Sequence, residues 1–544
     1  MGSAEPPRGG AVLLWGFMGT GKSSVGPLLA RALGWTFVDL DEVIAAAAGA
    51  SLADLFAREG EAAFRVREQQ ALWAAVARPG VVVAPGGGAL CSDEALDRAR
   101  AAGPLVVLRA DVDEILRRIG GGARRPLLAR AADPRRAAQD LLAARRRFYD
   151  DADLAVATDG RTPAVIAVEI AAWLRRHGLP GAPDHVVPVE LGERRYPVVV
   201  AQGYAGLHRH LAPSGRGGPG VACAIVTDAN VAQAQLPLLL ADLAAAGLEP
   251  TVLTIEPGEA SKSLGVAERV LEGLVAAGLE RRSVILGVGG GVVGDLAGFV
   301  ASIYLRGVPY VAVPTSLLAQ VDASVGGKTG VNLGGKNLVG TFYQPQACYV
   351  NLEALATLPA MELRAGCAEV VKHALIADAA LLDHLERHAE RIAQGDLEAL
   401  EPCVRRSIEI KAQIVARDER EAGERLFLNL GHTVGHAIEA ASAYRVRHGE
   451  AVAVGLLAAL RLSARRALCD AALEPRIAAL LGRLGLPTAP EPWLRREVLD
   501  LCVVDKKRAA GSVRFVAVTA PGSVRIVPLT VGEIAADLLP EGDR

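Results

Sequence analysis

Short apolar runs alternate with longer amphipathic stretches from about residue 11 to residue 350. Val12–Trp15, Val81–Ala84 and Leu105–Leu108 contain no polar residue, which is typical of strands buried on both faces of a parallel sheet. The helical stretches between such runs predict βαβ units. A second series of strand candidates follows after about residue 186 and comprises Val198–Val200, Ala222–Val226, Thr251–Ile255, Val284–Val288 and Tyr310–Val313.

Beyond about residue 355 the pattern changes to long helical stretches, which continue to about residue 490. A short strand-like tail follows at Val513–Val518 and Val524–Pro528. Arg176–Asp184 holds two Pro and two Gly in nine residues and separates the two α/β regions. We therefore predict a first α/β domain at 1–175, a linker at 176–186, a second α/β domain at 187–357 and a mostly helical domain at 358–544.

Composition excludes several classes of protein. The 544 residues exceed a usual domain length, and 51% hydrophobic with 22% charged residues at net charge −2 excludes a disordered chain and a strongly basic nucleic-acid binder. No uncharged apolar run reaches about 18 residues, and the N-terminus lacks a secretory pattern. The seven dispersed cysteines indicate reduced thiols. We expect a cytoplasmic protein with neither nucleic-acid nor membrane partners.

A phosphate-binding loop stands near the N-terminus. Gly16–Ser23 fits GxxxxGK[ST] and lies between a strand candidate and an apolar helix, which is the context that the motif requires. Backbone N–H groups of Gly19, Thr20 and Gly21 would face the phosphates of ATP at the N-terminus of a helix. In this pattern Lys22 reaches the outer phosphates and the hydroxyl of Ser23 ligates Mg²⁺.

Further residues point to the phosphate acceptor. Asp39 and Asp41 end the next strand candidate with both carboxylates on one side, although an acid-rich helix N-terminus is the alternative. Then come Gly60-Glu61, Phe64-Arg65, Glu68, the loop Gly86–Gly88, Arg125–Leu128, and Arg145 four residues before Tyr149. In this order, over about residues 10 to 175, these residues resemble the shikimate kinase family.

This resemblance implies roles for the catalytic residues of a kinase. Asp39 would help Ser23 to hold Mg²⁺, and Asp41 would orient or deprotonate the attacking hydroxyl while binding the acceptor. Lys22 and Arg125 would neutralise the transferred phosphoryl group, which is what phosphoryl transfer requires.

The same resemblance implies the binding site of shikimate. Arg65 and Arg145 would bind its carboxylate, because a guanidinium fork matches a carboxylate well. Gly87 and Gly88 would present N–H groups to its ring hydroxyls. Arg145 is preferred to its two neighbours because the arginine of the family stands four residues before the tyrosine.

A glycine-rich turn suggests a dinucleotide site in the second α/β region. Val284–Val288 leads into Gly289–Asp295, which fits GxGxxG but is a weak signal by itself. No acidic residue ends a strand about 20 residues later, where an ordinary Rossmann fold binds the ribose. An upstream set could serve instead: Asp228, Asn230, Glu259 and Lys262.

Histidines in the helical region suggest a metal site. His432 and His436 stand four residues apart, which places both imidazoles on one face of a helix, and His448 follows. Spacing alone favours the pair His432 and His436 with a carboxylate as ligands, and two structural helix histidines are the alternative.

From about residue 188 to 535 the chain resembles the 3-dehydroquinate synthase family. The matching segments are Pro257–Lys262, Gly289–Asp295, Arg306-Gly307, Pro314–Asp322, Gly326–Thr329, Gly335–Asn337, Glu369–Lys372, Asn429–His436, His448–Glu450 and Asp505–Lys507. The resemblance implies Glu369, His432 and His448 as ligands of Zn²⁺ or Co²⁺, and it leaves His436 to face the substrate. It thus replaces the pair that spacing favours by a three-ligand site with open positions.

The implied reaction converts 3-deoxy-D-arabino-heptulosonate 7-phosphate into 3-dehydroquinate, with NAD reduced and reoxidised in each turnover. The residues implied in NAD binding also include Gly290, Gly291, Val292, Asp295, Thr315, Ser316, Lys328 and Lys336. Those implied at the substrate are Arg306, Asp322, Lys328, Asn337, Lys372, Lys411, Arg425, Asn429, His436 and Lys506. Of these, Asp322, Lys328, Lys372, Arg425 and His436 are the expected catalytic residues. The loop between Lys328 and Lys336 varies in length in the family, and either Lys506 or Lys507 could make the last contact.

Lysine is rare in this chain. Among 59 basic residues only eight are lysines, and they are Lys22, Lys262, Lys328, Lys336, Lys372, Lys411, Lys506 and Lys507. All but Lys507 have a role implied above, which suggests that lysine was kept where a compact ammonium is needed.

The sequence thus predicts a P-loop kinase domain with a parallel sheet, a Rossmann-like α/β NAD-binding domain and a mostly α-helical metal-binding domain. The predicted function is shikimate kinase fused to 3-dehydroquinate synthase, two steps of one pathway that are not consecutive, acting on small molecules. The resemblance implies a homodimer through the synthase half. A different sugar-phosphate cyclase, a metal-dependent polyol dehydrogenase and a pseudoenzyme half are the alternatives.

Overall fold

The computed structural model describes residues 10–119, 133–179, 184–211, 222–503 and 512–539. Arg125, Lys506 and Lys507 lie outside the described residues. The chain divides into two compact units between residues 183 and 184, inside the Pro/Gly-rich segment 176–186. Each unit is described separately.

The first unit is built on a parallel sheet with strand order β2-β3-β1-β4-β5. Successive residues of the central strand enter two different apolar clusters: Leu13 and Trp15 pack on one face, Val12 and Leu14 on the other. This double burial explains the uninterrupted apolar runs. The strands are β1 (Ala11–Gly16), β2 (Thr36–Asp39), β3 (Val81–Ala84), β4 (Leu105–Arg109) and β5 (Leu154–Ala157).

Helices cover both faces of this sheet, and several begin at a side chain that caps them. Thr162, for example, accepts a hydrogen bond from Val165 N, with proline in the first turn. The helices are α1 (Lys22–Leu33), α2 (Leu40–Ala48), α3 (Leu52–Val76), α4 (Asp93–Ala102), α5 (Val112–Arg118), α6 (Pro134–Tyr149) and α7 (Pro163–Arg176).

One expectation for this unit is wrong. Asp39 ends β2, but Asp41 lies in the first turn of α2 and not on the strand. The reason is local: Asp39 Oδ1 accepts a hydrogen bond from Asp41 N at 3.0 Å and caps the helix at this point. The acid-rich helix N-terminus that the sequence left open as an alternative is therefore present as well.

The second unit contains a seven-stranded sheet of order β6-β7-β14-β11-β10-β8-β9, parallel except for the β6–β7 pair. Its strands are β6 (His185–Val189), β7 (Tyr196–Ala201), β8 (Cys223–Asp228), β9 (Thr251–Ile255), β10 (Val284–Gly289), β11 (Tyr310–Pro314) and β14 (Ala347–Asn351). A hairpin of β12 (Lys328–Val331) and β13 (Val339–Phe342) follows β11. The helices of this part are α8 (Ala229–Ala245), α9 (Leu264–Ala276) and α10 (Gly291–Ile303).

The rest of the second unit is mainly helical, as the pattern predicts. Its helices are α11 (Ala360–Ala377), α12 (Ala379–Ala393), α13 (Leu397–Arg417), α14 (His432–Ala441), α15 (His448–Arg465), α16 (Leu473–Arg483), α17 (Arg496–Leu499) and α18 (Val531–Leu538). The predicted tail is the hairpin of β15 (Ser512–Ala520) and β16 (Ser523–Thr530). One apolar cluster joins sheet residues such as Leu296 to helical residues such as Leu456, so both parts share a core.

The predicted strands of the first 350 residues are confirmed, and additional short strands are present. β12 and β13 contain glycine and polar residues and so show no apolar run, whereas β5 is apolar but short and only partly buried. Among the described helices, none is both long and apolar enough to cross a membrane.

Two candidate active sites

The glycine-rich loop of the first unit wraps the N-terminus of α1. Gly16, Gly19 and Gly21 adopt φ of 141°, 76° and 99°, a region that favours glycine. Lys22 Nζ donates to the carbonyl oxygens of Gly16 at 2.8 Å and Phe17 at 3.1 Å, so the ammonium lies over the loop. The hydroxyl of the buried Thr20 donates to the Phe17 carbonyl at 2.8 Å and braces the turn.

The predicted magnesium ligands lie together. Ser23 Oγ donates to Asp39 Oδ2 at 2.6 Å, although the two residues are 16 positions apart. A hydroxyl and a carboxylate beside a phosphate-binding loop are the oxygen ligands that Mg²⁺ prefers.

The two arginines predicted to bind a carboxylate meet at the second glycine loop. A Cβ on Gly88 would lie 2.9 Å from Arg65 Nη2 and 3.0 Å from Arg145 Nη2, so both guanidinium groups contact this residue. The Tyr149 hydroxyl donates a hydrogen bond to the Gly87 carbonyl at 2.8 Å and so holds this loop in place. Arg146 and Arg147 are mostly exposed, which leaves Arg145 as the arginine of its run that faces the loop.

A buried carboxylate holds Arg65 in this position. Glu68 is 1% exposed, and its Oε2 lies 2.5 Å from Arg65 Nη1. Burial raises the pKa of Glu68, and the charge of Arg65 opposes this shift. The sequence motif contains Glu68, but only the structure reveals its contact with the guanidinium.

Arg118 is a residue that the motifs did not reveal. Its Nη1 donates to Thr158 Oγ1 at 2.9 Å and to the Gly19 carbonyl at 3.4 Å, so it contacts the phosphate-binding loop. A single arginine in an arginine-rich chain gives no sequence signal of this contact.

In the second unit, the glycine turn after β10 leads into α10 as predicted. Gly290 is the N-cap of α10, and a Cβ there would lie 3.5 Å from Ser316 Oγ. Thr315 N donates to the Gly289 carbonyl at 3.0 Å, so the two expected residues after β11 flank the turn. A cavity at this turn is also lined by Gly291, Asp295, Lys328 and Thr329.

The proposed upstream residues partly approach this turn. Lys262 Nζ lies 2.5 Å from Asp295 Oδ2 and also donates to Asn337 Oδ1. Burial raises the pKa of Asp295, and Lys262 opposes this shift. Glu259 accepts a hydrogen bond from Asn332 Nδ2 at 2.8 Å. Asp228, in contrast, caps α8 through the N–H groups of Asn230 and Val231, both at 3.0 Å.

Asp322 lies at the centre of a buried cationic cluster. It belongs to a π-helical turn at Ala319–Ala323, an irregularity that often marks functional sites. Lys372 Nζ lies 3.1 Å from Asp322 Oδ2, and Lys411 Nζ donates to Oδ1 and to the Asp322 carbonyl. Burial alone would raise the pKa of Asp322, but the two ammonium groups hold it well below its usual range. Burial lowers the pKa of Lys411 to about 8, although the charge of Asp322 opposes the shift.

Arg425 and Lys328 border the same region. Arg425 is 2% exposed, and its Nη2 donates to the Gly326 carbonyl at 2.9 Å. Glu421 joins Lys328 and Asn429: its two oxygens lie 2.7 Å from Lys328 Nζ and 2.8 Å from Asn429 Nδ2. Sequence reasoning missed Glu421, since its φ of 61° and its partners are visible only in the fold.

Three residues on three helices form what we call a metal-sized group, a set whose ligand atoms lie close enough together to bind one metal ion. Glu369 on α11, His432 at the start of α14 and His448 at the start of α15 place one ligand atom each within 4.8 Å of the others. Glu369 Oε1 lies 3.6 Å from His432 Nε2 and 3.2 Å from His448 Nε2. Among the described residues, no such group contains both His432 and His436, so the structure does not bring together the pair favoured by spacing alone as it does the three residues implied by the family resemblance.

The chemistry of this group fits a divalent metal ion. Glu369 is 0% exposed; its Oε2 lies 2.5 Å from Lys372 Nζ, which leaves Oε1 towards the two imidazoles. The ring of His432 is oriented by its Nδ1, 3.1 Å from the Leu430 carbonyl, which leaves Nε2 towards Glu369. Burial lowers the pKa of His432 to about 3, which keeps its imidazole neutral and able to bind a metal. An O,N,N set of this kind is typical of catalytic zinc.

Comparisons with known proteins find relatives of both units. Family models described as 3-dehydroquinate synthase N-terminal and C-terminal match residues 252–365 and 366–508. The 3-dehydroquinate synthase of Symbiobacterium thermophilum is 46% identical over 348 residues, which are 62% of this chain and 96% of that protein. The chain belongs to the 3-dehydroquinate synthase family. The shikimate kinase family model matches residues 18–175, so this synthase carries a shikimate kinase domain ahead of it.

Two solved structures resemble the synthase unit. ValA, a 2-epi-5-epi-valiolone synthase from Streptomyces hygroscopicus with NAD⁺ and Zn²⁺ bound, is 30% identical, with a TM-score of 0.58 over 63% of this chain and 95% of that chain. A 2-deoxy-scyllo-inosose synthase complexed with carbaglucose-6-phosphate, NAD⁺ and Co²⁺ is 25% identical, with a TM-score of 0.59 over 65% and 99%.

The structure does not bring every expected residue of the synthase unit into the site. Arg306 is exposed, and no hydrogen bond or ion pair within the described part of the chain joins it to the other site residues. Leu305 and Arg306 have φ of 47° and 67°, an unusual backbone for two successive non-glycine residues.

His436 is half-buried on α14, with Nε2 at 4.0 Å from Glu439 Oε2. Val292 lies in the first turn of α10.

Proposed function

We propose that this chain is a bifunctional enzyme of the shikimate pathway. Its first unit phosphorylates shikimate with ATP, and its second unit converts 3-deoxy-D-arabino-heptulosonate 7-phosphate into 3-dehydroquinate with release of phosphate. One observation carries the synthase assignment: the metal-sized group of Glu369, His432 and His448 adjoins the cluster of Asp322, Lys372 and Lys411, because Lys372 contacts both Glu369 and Asp322.

In the kinase unit, Arg65 and Arg145 would bind the carboxylate of shikimate. Their guanidinium groups meet at Gly88, and Glu68 orients Arg65, so little freedom is lost on binding. Asp41 begins α2 beside Asp39 and would orient the attacking hydroxyl, while Ser23 and Asp39 hold Mg²⁺. Lys22 would neutralise charge on the phosphoryl group. Arg125 belongs to this set by sequence alone.

In the synthase unit, the cluster around Asp322 would bind an anionic substrate. Lys372 and Lys411 keep Asp322 ionised, so its carboxylate accepts hydrogen bonds from substrate hydroxyls. The remaining cations and amides at or beside this site are Lys328, Lys336, Asn337, Arg425 and Asn429, with Lys506 outside the described residues. They suit a substrate that carries both a carboxylate and a phosphate.

Glu369, His432 and His448 would hold Zn²⁺ or Co²⁺. When bound, the metal ion supplies Lewis-acid polarisation of a substrate hydroxyl. His436 faces the same region from α14 and can exchange a proton with the substrate.

NAD would lie against the turn between β10 and α10. The turn lacks a Cβ at three successive positions, Gly289, Gly290 and Gly291, which lets a pyrophosphate approach the helix N-terminus. When bound, NAD supplies reversible hydride transfer with the substrate, so no net reduction is expected. Glu259 and Lys262 approach the turn from the β9 side and would contact the nucleotide, together with Asp228 at the end of β8 and Asn230 in the first turn of α8.

A two-substrate assay tests this function. The full chain should phosphorylate shikimate with ATP and Mg²⁺, and it should release phosphate from 3-deoxy-D-arabino-heptulosonate 7-phosphate with NAD⁺ and Zn²⁺. Treatment with EDTA followed by excess Mg²⁺ should abolish only the second activity. Absence of either reaction in the untreated chain would refute that half of the proposal.

The two structural neighbours favour one alternative, a different sugar-phosphate cyclase. Both bind NAD⁺ and a divalent metal ion, and one contains a glucose 6-phosphate analogue. Turnover of glucose 6-phosphate in place of the heptulosonate phosphate would support it. Lasting accumulation of NADH would instead support a polyol dehydrogenase.

The proposal includes the organisation of the protein. The domains would be 1–175, 187–357 and 358–544, joined at 176–186, and the enzyme would be cytoplasmic. Arg306, exposed after α10, would reach across a homodimer interface formed by the synthase half.

A further inference from the structure

Glu439 is a buried carboxylate beside the group of Glu369, His432 and His448. It is not among the residues that the sequence predicts for either site. It lies near the end of α14, and its side chain is 5% exposed. Glu439 Oε2 lies 3.3 Å from His448 Nδ1, and Oε1 lies 3.0 Å from Lys336 Nζ. Each carboxylate oxygen thus has its own partner.

The contact with His448 determines which ring nitrogen is available. Because a carboxylate is an acceptor only, His448 Nδ1 must carry the proton in this hydrogen bond. Nε2 is then the nitrogen that can bind a metal ion in exchange for its proton, and it is the atom that lies 3.2 Å from Glu369 Oε1. A carboxylate behind a histidine in this way orients the ring and increases its basicity as a ligand.

The contact with Lys336 connects the same carboxylate to the NAD-binding side. Lys336 belongs to the loop between β12 and β13. In this loop Asn332 donates to Glu259, and Asn337 accepts a hydrogen bond from Lys262. The loop therefore contacts Glu439 on one side and two residues expected at NAD on the other.

We propose that Glu439 is a positioning residue that serves both cofactors: it holds His448 in the tautomer and orientation that bind the metal ion, and it anchors the Lys336 loop. This inference rests on the proposed synthase function. Its consequence is that one carboxylate supports metal affinity and NAD affinity together.

A rival assignment makes Glu439 itself a ligand, because His436, Glu439 and His448 also form a metal-sized group. Two observations favour the positioning role. The oxygens of Glu439 are occupied by Lys336 Nζ and His448 Nδ1, whereas Oε1 of Glu369 faces the Nε2 atoms of both His432 and His448. In the rival group, Nδ1 of His448 would have to give up its hydrogen bond.

The test is the zinc affinity of the full chain, measured by chelator competition for the wild type, Glu439→Gln and Glu369→Gln. Gln offers one acceptor oxygen where Glu offers two, so Glu439→Gln cannot serve His448 and Lys336 together. We expect Glu439→Gln to bind zinc about 10- to 100-fold more weakly but to reach one ion per chain at saturation. Glu369→Gln should lose the site.

Control variants separate the two contacts. Glu390→Gln removes a surface carboxylate paired with Arg483 at 2.7 Å and should leave zinc and NAD⁺ affinity unchanged. Lys336→Met should weaken NAD⁺ binding while the His448 contact keeps zinc affinity near that of the wild type. Thermal melting curves establish that each variant is folded.

Three results would overturn the inference. They are unchanged zinc affinity in Glu439→Gln, complete loss of the site as in Glu369→Gln, and loss of zinc affinity in Lys336→Met equal to that in Glu439→Gln. In each case a wild type that binds zinc and cyclises its substrate would leave the proposed function intact. A wild type that binds no zinc would refute both.

Discussion

Burial changes the acid–base chemistry of the cations around Asp322. Lys372 is 1% exposed between Asp322 and Glu369, and the two carboxylates raise its pKa although burial opposes this. Lys411 shares Asp322 with Lys372, and burial lowers its pKa to about 8. The two lysines therefore differ in charge state at mildly alkaline pH, although both contact the same carboxylate.

This difference predicts the pH dependence of cyclisation. Lys411 is protonated below about pH 8 and loses its charge as the pH rises. Because the substrate is anionic, kcat/KM should fall above that pH by about tenfold per pH unit. The measurement is a pH profile of kcat/KM for the wild type and Lys411→Arg. Lys411→Arg keeps its charge and should shift the decline to higher pH, and an unchanged profile would contradict the role of Lys411.

At the residue scale, the rarity of lysine was a useful guide. Lys262, Lys372 and Lys411 are buried at the predicted site, Lys22 contacts the phosphate-binding loop, and Lys336 contacts Glu439. The sequence did not single out Glu421 and Glu439, because acidic residues are common in this chain, with 61 Asp and Glu. Their roles depend on contacts between residues far apart in sequence, which residue counts do not reveal.

At the scale of elements, glycine loops position the charged groups. Gly88 allows two guanidinium groups to approach the backbone, and Gly326 does the same for Arg425, whose Nη2 would lie 2.5 Å from a Cβ there. The position after a strand predicted the loop at Gly88, whereas the segment with Gly326 was singled out only by the family resemblance. The sequence did not predict the π-helical turn that carries Asp322, since its hydrogen-bond pattern leaves no mark in the order of apolar residues.

Gly88→Ala tests the role of the second glycine loop. The new Cβ would lie about 3 Å from the ends of Arg65 and Arg145, which are flexible, so the domain should fold while both guanidinium groups move. The KM for shikimate should rise about 10- to 100-fold, corresponding to loss of one or two charged hydrogen bonds, and the KM for ATP should stay near its wild-type value. Cyclisation by the same chain is the internal control. An unchanged KM for shikimate would contradict the arginine assignment.

At the scale of the whole molecule, each of the two units carries its own set of candidate active-site residues. The helical and α/β parts of the synthase unit share one apolar cluster, and the site lies where they meet. The order of apolar and helical segments predicted these layers. It could not predict that the β12–β13 loop, through Lys336 and Glu439, joins the metal side to the NAD side.

The fusion should not transfer a product directly from one site to the other, because the two reactions are not consecutive. A coupled assay with the intervening enzymes should therefore give equal rates in two samples. One sample contains the wild type. The other is a mixture of Lys22→Ala and His448→Ala chains, in which the concentration of intact kinase sites and that of intact synthase sites each equal those of the wild-type sample. A clearly faster wild type would contradict this expectation.

The measurement that tests the central claim most directly assays both reactions in those two variants separately. Lys22→Ala should lose at least about 100-fold of the kinase activity, since it removes a preorganised cation, and should keep full cyclisation. His448→Ala should lose bound zinc and cyclisation and keep full kinase activity. If either substitution abolishes both reactions, or if neither affects its own, the account of two independent active sites in one chain is wrong.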